Sequence, residues 1–150
     1  MSRMKVVVLA TAILVAVPGL LAVNGQASEE AAVREALQHY LQGHATGDGA
    51  HHAMVFHPVS NLYFVRDGQL ATRTSEDYIA GAPGEPAADE AQRKRRIVMV
   101  DVTGDAAIAK IELDYPNVFF TDYMSLLKID GEWKIVAKIF HSERGGRGSN

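Results

Sequence analysis

The chain has 150 residues, no cysteine and a formal net charge of −3, with 18 acidic and 15 basic side chains. This mild acidity argues against a nucleic-acid partner, since affinity for DNA or RNA comes largely from lysine and arginine neutralising phosphates. The absence of cysteine excludes disulfides and a cysteine-linked lipid anchor.

The first 27 residues have the pattern of a secretory signal peptide. Arg3 and Lys5 precede an uncharged apolar run at residues 6–23, and Gly25-Gln26-Ala27 places small residues where a signal peptidase requires them. We expect cleavage after Ala27, a periplasmic or secreted product, and no membrane attachment afterwards. The alternative is an uncleaved anchor, because the run is about long enough to span a bilayer. The 123 residues that remain suit one domain with one core.

A long helix is predicted directly after the cleavage site. Ser28 can cap it, and Glu29 and Glu30 favour the positive end of the helix dipole. Apolar and aromatic side chains then recur every three or four residues, which predicts one inward stripe. The stripe consists of Val33, Ala36, Leu37, Tyr40, Leu41 and His44.

Two short helices and a strand pair come next. Asp48 can cap the second helix, which must end before Pro58 because the residue preceding a proline is pushed toward extended geometry. Residues 61–66 and 69–73 are predicted strands around an Asp-Gly turn. The capping-box spacing at 74–77 predicts a third helix, and residues 82–91 predict a loop.

The rest of the chain is predicted to be sheet, closing in a hairpin at Asp130-Gly131. Residues 97–102, 107–115 and 119–129 are strands, and the basic run before residue 97 is the solvated start of the first. In the last strand two lysines, Lys134 and Lys138, alternate with uncharged side chains, which predicts one wet and one covered face. The covered set is Trp133, Ile135, Ala137, Ile139 and His141.

This order of elements resembles the NTF2-like superfamily, and within it the SnoaL-like and putative lumazine-binding groups. The matching pieces are Tyr40-Leu41-Gln42-Gly43 with Thr46-Gly47-Asp48, His57-Pro58, Val65-Arg66-Asp67-Gly68, Asp122-Tyr123 and Asp130-Gly131-Glu132-Trp133-Lys134-Ile135-Val136. The resemblance implies an α+β cone at residues 28–143, in which a curved antiparallel sheet packs against three helices from the N-terminal half. It also implies a pocket at the open end and a homodimer through the outer sheet face. Residues 144–150 are predicted to be a disordered tail.

The ketosteroid isomerases of this superfamily provide a residue-level test of catalysis. Their oxyanion tyrosine lies eight residues before the aspartate of a Gly-Asp turn, and Tyr40 stands eight before Asp48 here. The position of their catalytic base falls on Phe64, and that of their second oxyanion donor, an aspartate, falls on Ser125. The chain thus keeps one possible donor and lacks the base, so a steroid-isomerase mechanism is not expected.

The six histidines provide candidate replacements for the missing base. His57 and His141 are the candidates, in combination with Tyr40, because a histidine titrates near neutral pH. The spacing of the histidines matches no metal-binding motif, and we expect neither a metal nor another cofactor. His39, His51 and His52 are predicted to be solvated.

Aromatic residues supply the chemistry for binding a flat, partly polar molecule. If Ser125 faces inward, then Tyr123 does too, and Asp122 points outward. The predicted ligand-binding residues are Tyr40, His57, Tyr63, Tyr123, Ser125, Trp133 and His141.

These features predict an exported small-molecule-binding protein without catalytic carboxylates. Two alternatives stay open. One is a cofactor-independent cyclase, isomerase or hydratase that uses His57 or His141 with Tyr40. The other is a ligand-free dimerisation module with a plugged cone.

Overall fold

In the computed structural model, residues 18–145 are described, with side chains from Gly25 onward. Three helices and six strands form along the chain, with a short 3-10 helix at Glu90–Gln92. The helices are α1 (Pro18–Thr46), α2 (Gly49–Val55) and α3 (Ser75–Ala80). The strands are β1 (Phe56–Arg66), β2 (Gln69–Thr74), β3 (Lys94–Thr103), β4 (Ala106–Tyr115), β5 (Val118–Ile129) and β6 (Glu132–Arg144).

The six strands form one sheet in the order β2-β1-β6-β5-β4-β3. The α+β prediction is confirmed, but the sheet is mixed, because β1 and β6 pair in parallel while all other neighbours are antiparallel. A hairpin forces its two strands to be antiparallel. No hairpin joins β1 to β6, so the connection between these two strands does not require them to be antiparallel.

Helix α1 begins earlier than the sequence indicates. It runs from Pro18 through Ala27, and the Ser28 hydroxyl donates to the Gly25 carbonyl at 2.7 Å instead of capping a new helix. Most of the predicted signal segment, residues 1–17, lies outside the described part of the chain, and cleavage stays a prediction. Within residues 18–145, no helix has the length and apolarity needed to cross a bilayer.

The other predicted caps and the Asp-Gly turns are confirmed. Asp48 accepts a hydrogen bond from the Ala50 amide at 2.8 Å, and Thr74 accepts one from the Asp77 amide at 3.0 Å. Asp67 and Asp130 both have φ of 51°, and the glycine after each also has positive φ, as a tight two-residue hairpin requires. Strand β6 continues to Arg144, and residues 146–150 of the predicted tail lie outside the described range.

The core lies between α1 and the concave face of the sheet. Of the predicted helix stripe, Val33, Leu37 and Tyr40 are fully buried and the other three residues are half-buried, and the stripe belongs to one core cluster with side chains of β3, β4, β5 and β6. One end of the cone is sealed by Glu29, which accepts from the Trp133 indole at 3.1 Å and from the Lys128 ammonium at 2.7 Å. The cone cavity lies toward the opposite end.

A β-bulge at Val136 reverses the side-chain alternation along β6. Leu126 pairs with Ile135, but the preceding residue of β5 pairs with Ala137, so Val136 has no partner of its own. Before the bulge Ile135 faces the core, and after it Lys138 does, with 4% exposure. One extra residue moves every later side chain to the opposite face. The predicted inward orientation of Ile139 and His141, and the outward orientation of Lys138, are therefore wrong.

The predicted alternation on β5 is also inverted. Asp122 is 0% exposed and faces the core, whereas Tyr123 is 46% exposed and Ser125 is exposed on the outer face. The prediction depended on a comparison with the ketosteroid isomerases, aligned through the Asp130-Gly131 hairpin, that placed Ser125 inward. Since the side-chain period of a strand is two, an error of an odd number of residues inverts both faces.

Candidate functional site

A cavity of about 560 Å³ opens at the end of the cone away from Trp133. Its polar floor consists of His44, Tyr78 and Lys138, and its apolar walls of Leu62, Phe64, Leu113, Phe120 and Phe140. The exposed lining residues form the mouth, and they are Val65, Arg66, Asp67, Arg73, Ser142 and Arg144. The volume falls within the range of ordinary small-molecule sites.

Three polar side chains form a buried cluster at the floor, which we call the buried triad: Tyr40, Asp122 and Lys138. The Tyr40 hydroxyl donates to Asp122 Oδ2 at 2.5 Å. Lys138 Nζ donates to the Tyr40 oxygen at 2.6 Å and to Asp122 Oδ2 at 3.1 Å. Of the three, Lys138 lines the cavity directly.

The triad is assembled from residues far apart in the chain. Tyr40 belongs to the α1 stripe, and Asp122 and Lys138 lie on neighbouring strands. Asp122 pairs with Phe140, and Met124 pairs with Lys138, so the two charged residues are diagonal neighbours on the concave face. They share that face only because the Val136 bulge comes before Lys138.

Burial governs the protonation of the triad. It lowers the pKa of Lys138, although the Asp122 carboxylate opposes the change by stabilising the ammonium. Burial, and then the charge of Asp122, raises the pKa of Tyr40 well above its usual value, so its hydroxyl stays protonated as a donor. Asp122 Oδ1 is buried and has no hydrogen-bond partner among the described residues, which leaves one acceptor unsatisfied.

A neutral histidine completes the floor. His44 Nε2 and the Tyr78 hydroxyl are hydrogen-bonded at 2.9 Å, and the His44 ring meets the Tyr40 ring edge-on at 4.7 Å. Burial, followed by the charge of Lys138, lowers the pKa of His44 well below its usual value. His44 therefore stays uncharged at neutral pH and offers no cation to a ligand.

His52 lies behind this floor and is not solvated as predicted. Its ring is 4% exposed, and Nε2 donates to the Tyr40 carbonyl at 3.3 Å. Burial lowers its pKa to about 4. The short helix α2 turns His52 toward the aromatic rings of Tyr40 and Tyr78, a position that residue spacing did not reveal.

Arg95, from the basic run, supports the floor from outside the cavity. Its guanidinium binds Glu90 at 2.6 Å, the Tyr115 hydroxyl at 3.1 Å and the His44 carbonyl at 3.1 Å. Lys94 and Arg96 lie at the start of strand β3, and Arg93 directly precedes it. Arg95 thus has a structural role.

The walls and mouth differ in character. Phe64 and Phe140 stack with centroids 4.8 Å apart, which gives an apolar surface. At the mouth, Arg66, Arg73 and Arg144 face one acid, Asp67. Together with Lys138 they make the cavity electropositive.

Of the seven predicted ligand-binding residues, Tyr40 lies beneath the floor, where it contacts Lys138 without lining the cavity itself. Trp133 lies at the sealed end, and Tyr63, Tyr123, Ser125 and His141 do not line the cavity. His57 is half-buried at the start of β1, where its Nδ1 accepts from the Val59 amide at 3.4 Å. Because His141 is exposed and Tyr40 is fully buried, these two candidates do not share a site.

The sequence interpretation missed Lys138 because its alternation with uncharged side chains indicated a wet face, and it missed Asp122 because the inward placement of Ser125 pointed Asp122 outward. One signal could have corrected it. Val136 and Phe140 share the parity of Lys138, so the supposed wet face already carried apolar side chains. Within the described residues, no group of histidines and acids is positioned to hold a metal ion.

The comparisons with known proteins agree on the fold. A model of the Putative lumazine-binding family matches residues 28–141. An NTF2-like protein of unknown function from Shewanella baltica is 27% identical, covers 78% of this chain and 95% of its own, and superposes with a TM-score of 0.71. One from Methylobacillus flagellatus is 28% identical, covers 77% and 93%, and has a TM-score of 0.67.

A further similarity is to a protein named Aldolase FrzH from Cladobotryum sp. The two chains are 26% identical over 103 residues, which is 69% of this chain and 82% of that protein. The family match spans the whole cone, including the strands that carry Asp122 and Lys138. The chain therefore belongs to the Putative lumazine-binding family of the NTF2-like superfamily.

Proposed function

We propose that the protein binds a small, partly aromatic organic molecule bearing an anionic or oxygen-rich group in the cone cavity. The observation that carries this proposal is the cavity of about 560 Å³ between phenylalanine walls and a polar floor. An apolar pocket with a few convergent polar groups is typical of a ligand site.

The lining determines the ligand chemistry we expect. Phe64 and Phe140 offer ring faces for an aromatic or conjugated ligand. Lys138 at the floor and the arginines at the mouth favour negative charge or carbonyl oxygens on the ligand. A cationic ligand would meet like charges at both ends.

The direct test is native mass spectrometry of the purified protein, followed by thermal-shift screening with aromatic carboxylates, heterocycles and matched aromatic amines. We expect a co-purified small molecule or stabilisation by the anionic compounds. If the protein carries no bound small molecule and no compound stabilises it, the proposal is contradicted.

The mouth arginines give a sharper prediction. Replacing Arg66 by glutamine is expected to weaken benzoate binding about two- to fivefold, because an exposed charge contact contributes up to about 1 kcal/mol. Binding of neutral benzamide should not change. Isothermal titration measures both, with Arg34→Gln on α1 as the matched control, and equal losses for the two ligands would argue against a charge contact.

A second candidate is catalysis on a carbonyl compound. The observation that favours it is the buried Lys138 amine lining the cavity beside a tyrosine donor and a carboxylate. The similarity to a protein named as an aldolase points in the same direction. Turnover of aldehyde and ketone mixtures, followed by NMR, distinguishes this candidate from simple binding.

We also propose a homodimer through the outer sheet face. An apolar groove there is lined by residues of β3 to β6, and it includes exposed Ile108, Tyr123 and Ile139. A second copy of the chain is the occupant we favour, because the groove is continuous over four neighbouring strands, from β6 to the edge strand β3.

Export remains part of the proposal. N-terminal sequencing of the mature protein isolated from its native cells tests cleavage after Ala27.

The dimer proposal predicts a specific disruption. Ile139→Lys, at a side chain 54% exposed, is expected to convert the dimer to a monomer, because the interface would bury an unpaired ammonium. Multi-angle light scattering gives the mass. Leu70→Lys, on edge strand β2 outside the groove, should leave the dimer intact, and a wild-type monomer at micromolar concentration would refute the proposal.

A further inference from the structure

We propose that Lys138 is a covalent carbonyl-binding residue, whose amine forms an imine with an aldehyde or ketone held in the cavity. The inference rests on the proposed function, because it requires the cavity to admit a small organic molecule. It adds the substrate class, a carbonyl compound, and the atom that bonds to it, Nζ.

The first support is position. Lys138 is the lysine of the described chain that is buried and lines the cone cavity, with its Nζ directed at the Tyr40 oxygen 2.6 Å away. The aromatic rings of Tyr78 and Phe140 lie 5.2 Å and 5.0 Å from the same nitrogen. A carbonyl compound packed against these rings would have the amine beside it.

The second support is the set of charged and titratable groups around the amine. Asp122 approaches from β5, Tyr40 and His44 from α1, Tyr78 from α3 and Arg73 from β2. Burial and Arg73 disfavour the ammonium, while Asp122 favours it. Because Asp122 Oδ2 accepts from Nζ at 3.1 Å, the carboxylate is placed to take the proton and release a neutral, nucleophilic amine.

The reaction is balanced without any further reagent. The Nζ lone pair attacks the carbonyl carbon, so a C–N bond forms and the carbonyl oxygen takes up a proton. The resulting carbinolamine then loses this oxygen as water while the nitrogen gives up its second hydrogen, which leaves a C=N bond. Asp122 shuttles the protons, and the Tyr40 hydroxyl, kept protonated by burial, is the donor nearest to Nζ.

The experiment has two probes on one protein preparation. Treatment with 2,4-pentanedione should produce the near-ultraviolet band of a conjugated enaminone. Reduction with borohydride in the presence of benzaldehyde should add one benzyl group, which peptide mapping should place on Lys138. Labelling of Lys138 near neutral pH should exceed that of exposed Lys94, because burial lowers the pKa of the Lys138 amine and so raises its uncharged fraction.

Variants keep the result interpretable. Lys138→Met should abolish both signals, and Lys94→Met should preserve them. If Lys138→Met does not fold, the double variant Lys138→Met with Asp122→Leu removes the ion pair as a unit and serves in its place. If the benzyl label is spread over surface lysines, or if it persists in the Lys138 variants, the assignment of the imine to Lys138 is overturned.

Benzoate binding separates this inference from the proposed function. Benzoate has no electrophilic carbonyl that condenses with an amine, so its thermal shift reports on the cavity alone. A benzoate shift without enaminone overturns the imine and leaves the binding proposal standing. Loss of both signals overturns both.

Discussion

Replacing Lys138 by methionine is expected to lower the free energy of unfolding by about 3–5 kcal/mol, because Asp122 would keep a buried charge without its cation. Asp122 is 0% exposed and Lys138 Nζ lies 3.1 Å from its Oδ2. Asp122→Leu should cost a similar amount by leaving the ammonium unpaired. Urea unfolding followed by circular dichroism measures both.

The double variant Lys138→Met with Asp122→Leu should recover most of that loss. A buried ion pair replaced by apolar side chains of similar volume is often neutral or stabilising, since the cost of desolvating the two charges disappears. Additive losses in the double variant would show that the two residues contribute independently. Lys94→Met, at an exposed lysine, is the matched control and should change stability by less than about 0.5 kcal/mol.

Acidification is expected to unfold the protein through its buried histidines. The pKa of His52 is lowered to about 4 by burial, whereas an exposed histidine titrates near 6.5. Between these two pH values His52 therefore binds a proton in the unfolded chain but not in the folded chain. The stabilisation is complete above about pH 6.5 and is lost as the pH falls toward 4.

His44 adds to this effect in the same direction, because burial also lowers its pKa. For His52 the loss down to pH 4.5 amounts to about 2–3 kcal/mol, since each unit of pKa difference between the folded and unfolded chain corresponds to about 1.4 kcal/mol. Urea midpoints at pH 7, 5.5 and 4.5 measure the decline. His52→Gln should reduce this loss of stability with falling pH, and His51→Gln should not. An equal loss in the wild type and both variants would contradict the assignment to His52.

Local physics made several elements predictable. Asp48 and Thr74 cap helices through contacts within three residues, and the hairpin at Asp130 needs only two residues with positive φ. The inward stripe of α1 follows from a helical period that nothing interrupts. These features are determined by neighbouring residues, which is why the sequence revealed them.

The site was less predictable, because its side chains depend on the faces of long strands. Lys138 and His141 were placed by counting from Trp133, and the count failed at Val136. The bulge there appears only when β6 is paired with β5, a contact that the sequence does not display. Asp122 was misplaced for a different reason, because the comparison that placed Ser125 inward inverted both faces of β5.

By itself, the sequence determined the helix stripe with Tyr40 and the closing hairpin, because periodicity, caps and turns are local, and its resemblance to the NTF2-like superfamily implied the cone. Only the tertiary structure decided that the hairpin's Trp133 seals one end while Lys138 faces the other, and that Asp122 meets Tyr40 at the floor. The physical reason is pairing. A strand's two faces are exchanged by a single unpaired residue, and whether a charge is buried depends on partners that lie far away in the chain.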